Sequence, residues 1–128
     1  MDKRQTIYLD PNMDHYRNRN LVVMVQDCEA TCEHMTHSIM MLDDFHDRMT
    51  QAVLLNDCAD ICGLTANFAA RDAIFARHAA ALCADICDAL GSECLKFSDE
   101  KSVHCADICF ACARHCKAFA IRKGERRD

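Results

Sequence analysis

The chain has 128 residues, enough for one domain, and its 51% hydrophobic content excludes a disordered chain. A net charge of −5 argues against nucleic acid as a partner, and no apolar run approaches the roughly 18 residues of a membrane span. Eleven cysteines would suit a secreted disulfide scaffold, but 3 Gly and 1 Pro are too few for so loop-rich a class.

Residues 1–16 read as an irregular N-terminal arm, and residues 17–128 as a single four-helix-bundle domain. Met1 to Asn20 is polar and lacks the apolar core of a signal peptide, so a cytoplasmic location is expected. The only proline is Pro11, so proline forbids helix nowhere beyond it. The first predicted helix runs from Arg17 to Leu42, with Leu21, Met24, Val25, Cys28, Cys32, Met35, Ile39 and Leu42 on one face at 3–4 spacing. Asp43 and Asp44 suggest a turn and a helix start. The second helix runs from Asp47 to Ala70, its stripe Leu54, Leu55, Cys58, Cys62, Thr65 and Ala69. The third is expected from Asp72, as an N-cap, to Phe97, with Ala76, Ala80, Cys83, Cys87, Leu90, Cys94 and Phe97 inward. Ser98 and Asp99 offer the next N-cap, with Glu100 in the first turn. The fourth helix then runs to Arg122 with Cys105, Cys109, Cys112, Cys116 and Phe119 on its stripe. Four such helices with short connections predict an all-α, antiparallel four-helix bundle. Gly63 and Gly91 fall inside helices and read as small residues at tight helix contacts.

One pentapeptide, Cys-Ala-Asp-Ile-Cys, occurs at 58–62, 83–87 and 105–109, once on each of three helices. Cys28/Cys32 and Cys112/Cys116 share its spacing, and Cys94 lies seven residues after Cys87 on the same face. A disulfide needs Cβ atoms about 3.5–4.5 Å apart, whereas residues i and i+4 hold them at roughly 5–6 Å. A metal bridged by two bonds of about 2.3 Å spans such a pair at roughly 4.6 Å. Soft thiolates select Cu(I), zinc or iron–sulfur clusters. Zinc is expected in one closed tetrahedral site, whereas a row of eleven thiols favours several Cu(I) ions per chain. The candidate ligands are therefore all eleven: Cys28, Cys32, Cys58, Cys62, Cys83, Cys87, Cys94, Cys105, Cys109, Cys112 and Cys116. Asp60, Asp85 and Asp107 point off the stripe and read as solvated carboxylates.

At these residues the sequence resembles the bacterial copper storage proteins, cysteine-rich four-helix bundles that bind Cu(I). The resemblance covers Asp57 to Phe119. It rests on the repeated pentapeptide, the Gly91-Ser92-Glu93-Cys94 step and the run from Cys105 through Cys109-Phe110-Ala111-Cys112 to Cys116. It implies a thiol-filled interior holding many Cu(I) ions along the axis, a homo-oligomer (often a tetramer of bundles), and copper ions with their donor or acceptor proteins as partners. The sequence departs from the richest members at Gln51, Ala80, Leu90 and Ser102, which implies fewer copper ions per chain, or a partly hydrophobic core with copper confined to one stretch.

Seven His and seven Met follow a pattern too. In an up-down bundle the end of the first helix, the start of the second, the end of the third and the start of the fourth share one end. That end collects His34, Met35, Cys94 and a set expected to admit metal: His37, Met40, Met41, His46, Met49 and His104. The resemblance supports the assignment, since members of that family place Met and His at one open end. Leu21, Phe68, Phe75 and Phe119 are expected to plug the other end. His78 and His115 fall off the core face.

An enzyme is not expected. None of the five Glu has His three residues later, as a di-iron bundle needs. Cys109-Phe110-Ala111-Cys112 lies mid-helix, without the βαβ setting of a redox motif. The alternative to copper storage is a zinc-binding or thiol-buffering structural bundle.

Overall fold

The computed structural model describes residues 17–122. The expected arm at 1–16 and the basic residues Lys123, Arg126 and Arg127 lie outside the described residues. The four helices are α1 (Arg19–Ile39), α2 (Met49–Ala70), α3 (Ala76–Cys94) and α4 (Glu100–Ile121), with a short 3-10 helix at Phe45–Arg48 before α2. They form a square ring in which each helix packs on its two sequence neighbours and α1 closes on α4. Sulfur pairs Cys58–Cys87 and Cys62–Cys83 fix α2 and α3 as antiparallel.

The stripes become the core, except that Met24, Leu54 and Phe97 are only half-buried. Leu21, Val25, Cys28, Cys32, Met35 and Ile39 are buried on α1; Leu55, Cys58, Cys62, Thr65 and Ala69 on α2. Ala76, Ala80, Cys83, Cys87, Leu90 and Cys94 are buried on α3, and Cys105, Cys109, Cys112, Cys116 and Phe119 on α4. Asp99 caps α4, its carboxylate accepting from Ser102 N at 3.0 Å.

The ends differ from expectation in four places. Residues 40–44 leave the helix, so Leu42 is exposed rather than part of the α1 stripe. Asp47 lies in the 3-10 turn, and α2 begins two residues later. Asp72 does not start α3. It has φ 54° and ends α2: its N–H donates to Ala69 O (3.2 Å) and that of Ala73 to Phe68 O (2.8 Å). These are the two bonds of a Schellman ending, whose left-handed residue is often Gly and is tolerated by Asp. α3 therefore starts at Ala76, and α3 ends at Cys94 rather than Phe97.

Both helix glycines mark close approaches. A Cβ on Gly91 would stand 2.7 Å from the Phe110 ring of α4; one on Gly63 would meet the Glu29 carboxylate of α1 at 2.9 Å. The end predicted as an apolar plug is only partly so. Leu21 and Phe119 are buried and Phe68 is half-buried, but Phe75 is 61% exposed and packs edge-on against His78. It is excluded because it stands at the α3 start that Asp72 displaced. Arg77 and Arg122 lay their guanidinium groups over the Phe119 ring at 5.1 and 5.3 Å, and Arg77 Nη1 donates to Phe119 O.

Candidate metal centre

All eleven cysteines are free thiols and all are fully buried. Their burial follows from spacing: 3–4-residue steps keep each pair on the side of its helix that faces the ring's centre. Within a helix the sulfurs stand 3.9 Å apart for Cys58/Cys62 and Cys83/Cys87, and 4.0 Å for Cys105/Cys109 and Cys112/Cys116. Between helices they come closer: Cys58–Cys87 at 3.6 Å, Cys62–Cys83 at 3.7 Å and Cys28–Cys58 at 3.9 Å. The repeated pentapeptides thus build rungs across the bundle as well as pairs along each helix.

Three sets of sulfurs lie mutually within 4.8 Å: Cys28, Cys32, Cys58 and Cys109; Cys28, Cys62, Cys87 and Cys112; and Cys83, Cys112 and Cys116. The sets draw on all four helices and share Cys28 and Cys112. Sulfurs around one tetrahedral ion with bonds of about 2.3 Å stand about 3.8 Å apart. The observed spacings match that figure and fall short of the roughly 4.6 Å of a linear bridge, so a two-coordinate ion requires the thiols of a pair to open by less than 1 Å.

The thiols set one another's charge. Burial disfavours every thiolate. Cys28, Cys58 and Cys105 are nevertheless held below the ordinary thiol range, each chiefly by the neighbouring thiol of Cys109, and Cys83 chiefly by that of Cys112. Their neighbours carry the protons. Cys62, Cys87 and Cys116 are pushed up chiefly by Cys112, and Cys32, Cys94 and Cys109 chiefly by Cys105. A metal-free interior of this kind holds most sulfurs as S–H, ready to exchange protons for a cation.

The column is bounded by residues that sequence reasoning did not join into a site. Leu55 and Leu90 fill the core between Cys58/Cys87 and Cys94 on α2 and α3. Above them Gln51, fully buried, donates from Nε2 to Cys94 Sγ at 3.3 Å and to Ser102 Oγ at 3.0 Å. Arg48, 4% exposed, lies over this pair. Its Nη1 donates to Gln51 Oε1 (3.1 Å) and Ser102 Oγ (3.2 Å), its Nη2 to Asp99 Oδ1 (2.9 Å) and its Nε to Asp44 Oδ1 (2.8 Å). The Phe97 ring lies 4.1 Å from the guanidinium carbon. Burial opposes the charges here, but the mutual hydrogen bonds outweigh it: Arg48 is raised and Asp99 lowered from their ordinary values. The signal was present in part, since Gln51 and Ser102 continue the stripes of Leu55 and Cys105.

The expected Met/His end is mostly solvent-facing. His37 and His46 are exposed, and Met40, Met41 and Met49 are 59%, 75% and 52% exposed. Met35 is buried. His104 is exposed and borders a cleft between α1 and α4. Asp60, Asp85, Asp107, His78 and His115 are all exposed, off the thiol column.

Fold and site together define a thiol-cored helical bundle. Residues 14–121 match the family model Csp, copper storage protein, and the chain belongs to that family. Among solved structures, the Cu(I)-bound copper storage protein BsCsp3 is 33% identical, with a TM-score of 0.77 over 80% of this chain and 97% of that one. Apo-Csp3 (copper storage protein 3) from Bacillus subtilis is also 33% identical, with a TM-score of 0.76 over 81% and 99% of the two chains. The uncharacterized cysteine-rich protein YhjQ of Bacillus subtilis (strain 168) is 37% identical over 70 residues, 55% of this chain. That match spans 65% of YhjQ's length.

Proposed function

We propose that this protein binds and stores several Cu(I) ions per chain through the thiolates that line its core. The observation that carries the reading is the continuous set of eleven buried thiols, with sulfurs 3.6–4.0 Å apart both along and across helices. A soft monovalent ion suits soft sulfur ligands at low coordination number, and each sulfur can bridge two ions. The ligands are Cys28, Cys32, Cys58, Cys62, Cys83, Cys87, Cys105, Cys109, Cys112 and Cys116, with Cys94 at the end of the column. Copper is cargo here, and the chain carries out no chemistry on a substrate. His37, Met40, Met41, His46, Met49 and His104 form a capture surface of soft and borderline donors. The protein works in the cytoplasm, where thiols stay reduced, and exchanges copper with donor or acceptor proteins. Phe75, which precedes the first residue of α3, and Leu82 on that helix are both exposed apolar side chains and support a homo-oligomer.

Anaerobic titration of the reduced chain with Cu(I), against a competing chelator and with mass readout, tests this. More than four ions per chain is the expected outcome, and Cys83→Ser with Cys87→Ser lowers the number. Saturation at one or two ions would sink the proposal. The four-sulfur sets favour a second reading, a zinc-binding bundle, because their spacing suits a tetrahedral ion. Zinc would saturate at one or two ions, so the same titration separates the readings.

A further inference from the structure

We infer that Cu(I) reaches the thiol column sideways, through the seam between α1 and α4, with His34, Met35 and His104 as relay ligands; the inference rests on the copper reading. Both ends of the bundle axis are closed by cations. At one end the last thiol, Cys94, is covered by Gln51, and Gln51 by the buried Arg48 guanidinium with its four hydrogen bonds. At the other, Arg77 and Arg122 cover the buried Phe119 ring. A univalent cation moving along the axis would have to displace a hydrogen-bonded guanidinium and pass its charge.

Three of the four side seams are tight. Gly91 against Phe110 joins α3 and α4, Glu29 over Gly63 joins α1 and α2, and the Cys58–Cys87 and Cys62–Cys83 contacts join α2 and α3. α1 and α4 pack least intimately of the adjacent pairs. Along this seam lie two clefts, of about 350 and 270 Å³, which share Met35, Glu100 and Lys101 in their walls. The larger is walled by His34 from α1 and His104 from α4.

The donors are graded in depth. Both imidazoles are exposed, the Met35 thioether is 1% exposed at the wall of both clefts, and the thiols lie behind. Met35 is three residues from Cys32, and His104 adjoins Cys105 in the chain. Neutral imidazole and thioether hold Cu(I) without carrying a negative charge and release it to thiolate. Lys101 Nζ donates to Ser38 Oγ across the seam at 3.3 Å, an exposed bond that water can replace. No electron moves in the transfer: copper stays Cu(I), a sulfur–copper bond replaces each S–H bond, and the proton leaves to solvent.

The test is anaerobic stopped-flow loading of the reduced protein from Cu(I)–bicinchoninate, followed by chelator-driven removal. The double variant His34→Leu/His104→Leu changes two exposed side chains, so it folds, which circular dichroism checks. Both rates should fall by about tenfold or more, while the final copper number falls by at most one ion. Met35→Leu, which conserves volume, should slow loading in the same direction. His78→Leu/His115→Leu, exposed imidazoles elsewhere, should load at the wild-type rate. Wild-type rates in the double variant would overturn the seam as the route, as would faster loading by Arg48→Gln with the seam variants unaffected. A wild-type chain that saturates at one or two ions would instead overturn the storage reading.

Discussion

At the scale of single residues, Arg48 and Asp99 form the charged pair that ties the start of α2 to the start of α4. Arg48 is a buried charge whose hydrogen-bond partners come from three separate segments. Removing one partner leaves the charge under-compensated, which costs far more than an exposed ion pair contributes. Asp99→Ala, which also deletes the α4 cap, should destabilise the reduced apo protein by about 2–4 kcal/mol in urea unfolding. Asp99→Asn keeps a capping oxygen and should cost about 1 kcal/mol. Asp99 sits below its ordinary value of 3.8: burial opposes this, and the bonds from Arg48 and Ser102 outweigh it. Its contribution is therefore fully present above that value and is lost as the pH falls through the lower folded value. The stability gap between wild type and Asp99→Asn should hold at neutral pH and shrink below about pH 4.

At the scale of elements, helix contacts and helix endings make opposite demands on small residues. Gly91→Ala would drive a Cβ into the Phe110 ring and should cost about 1–3 kcal/mol, because a ring held between helices cannot yield cheaply. Gly63→Ala meets only the far end of the flexible Glu29 side chain. It should be neutral or stabilising by up to about 1 kcal/mol through helix propensity. Asp72→Gly should also stabilise, by up to about 1 kcal/mol, because its φ of 54° suits glycine. Its ion pair with Arg17, 3.6 Å between half-exposed side chains, contributes little to set against that gain. Denaturation midpoints of the three variants check these signs.

At the scale of the whole molecule, the thiols are packing atoms before they are ligands. Leu21, Val25, Ile39, Leu55 and Leu90 are buried among them, so apolar burial sustains the bundle without metal. The reduced, metal-free protein should give the far-UV circular dichroism of a helical bundle, unlike a zinc finger, whose fold needs its ion. Loading should release protons, since thiols such as Cys62, Cys87 and Cys109 are held above the ordinary value of 9.0 and are S–H at neutral pH. Copper retention should accordingly weaken as the pH falls, because protons compete for the same sulfurs. Base uptake in a pH-stat during anaerobic loading measures the first, and chelator competition across pH the second.

The helices, their antiparallel order and the inward position of every cysteine were legible in the sequence, because each is a matter of local period. A 3–4 step puts Cys58 and Cys62, or Cys112 and Cys116, on one face whatever surrounds them. Turn chemistry was legible where one side chain decides it, as at Asp99. It misled at Asp72, where the same residue type can start a helix or, in the left-handed region, end one. What only the tertiary structure decided is what meets across the bundle. The Cys58–Cys87 rung, the sets centred on Cys28 and Cys112, and Phe110 against Gly91 depend on the register between helices, which no single helix encodes. The same holds for Arg48. Its sequence position marks it as an ordinary surface cation, and it is buried because Asp44, Gln51, Asp99 and Ser102 arrive from different segments to satisfy it. Residues that look inward are set by periodicity, but partners distant in the chain are chosen by packing, which minimises unpaired polar groups and empty space over all four helices at once.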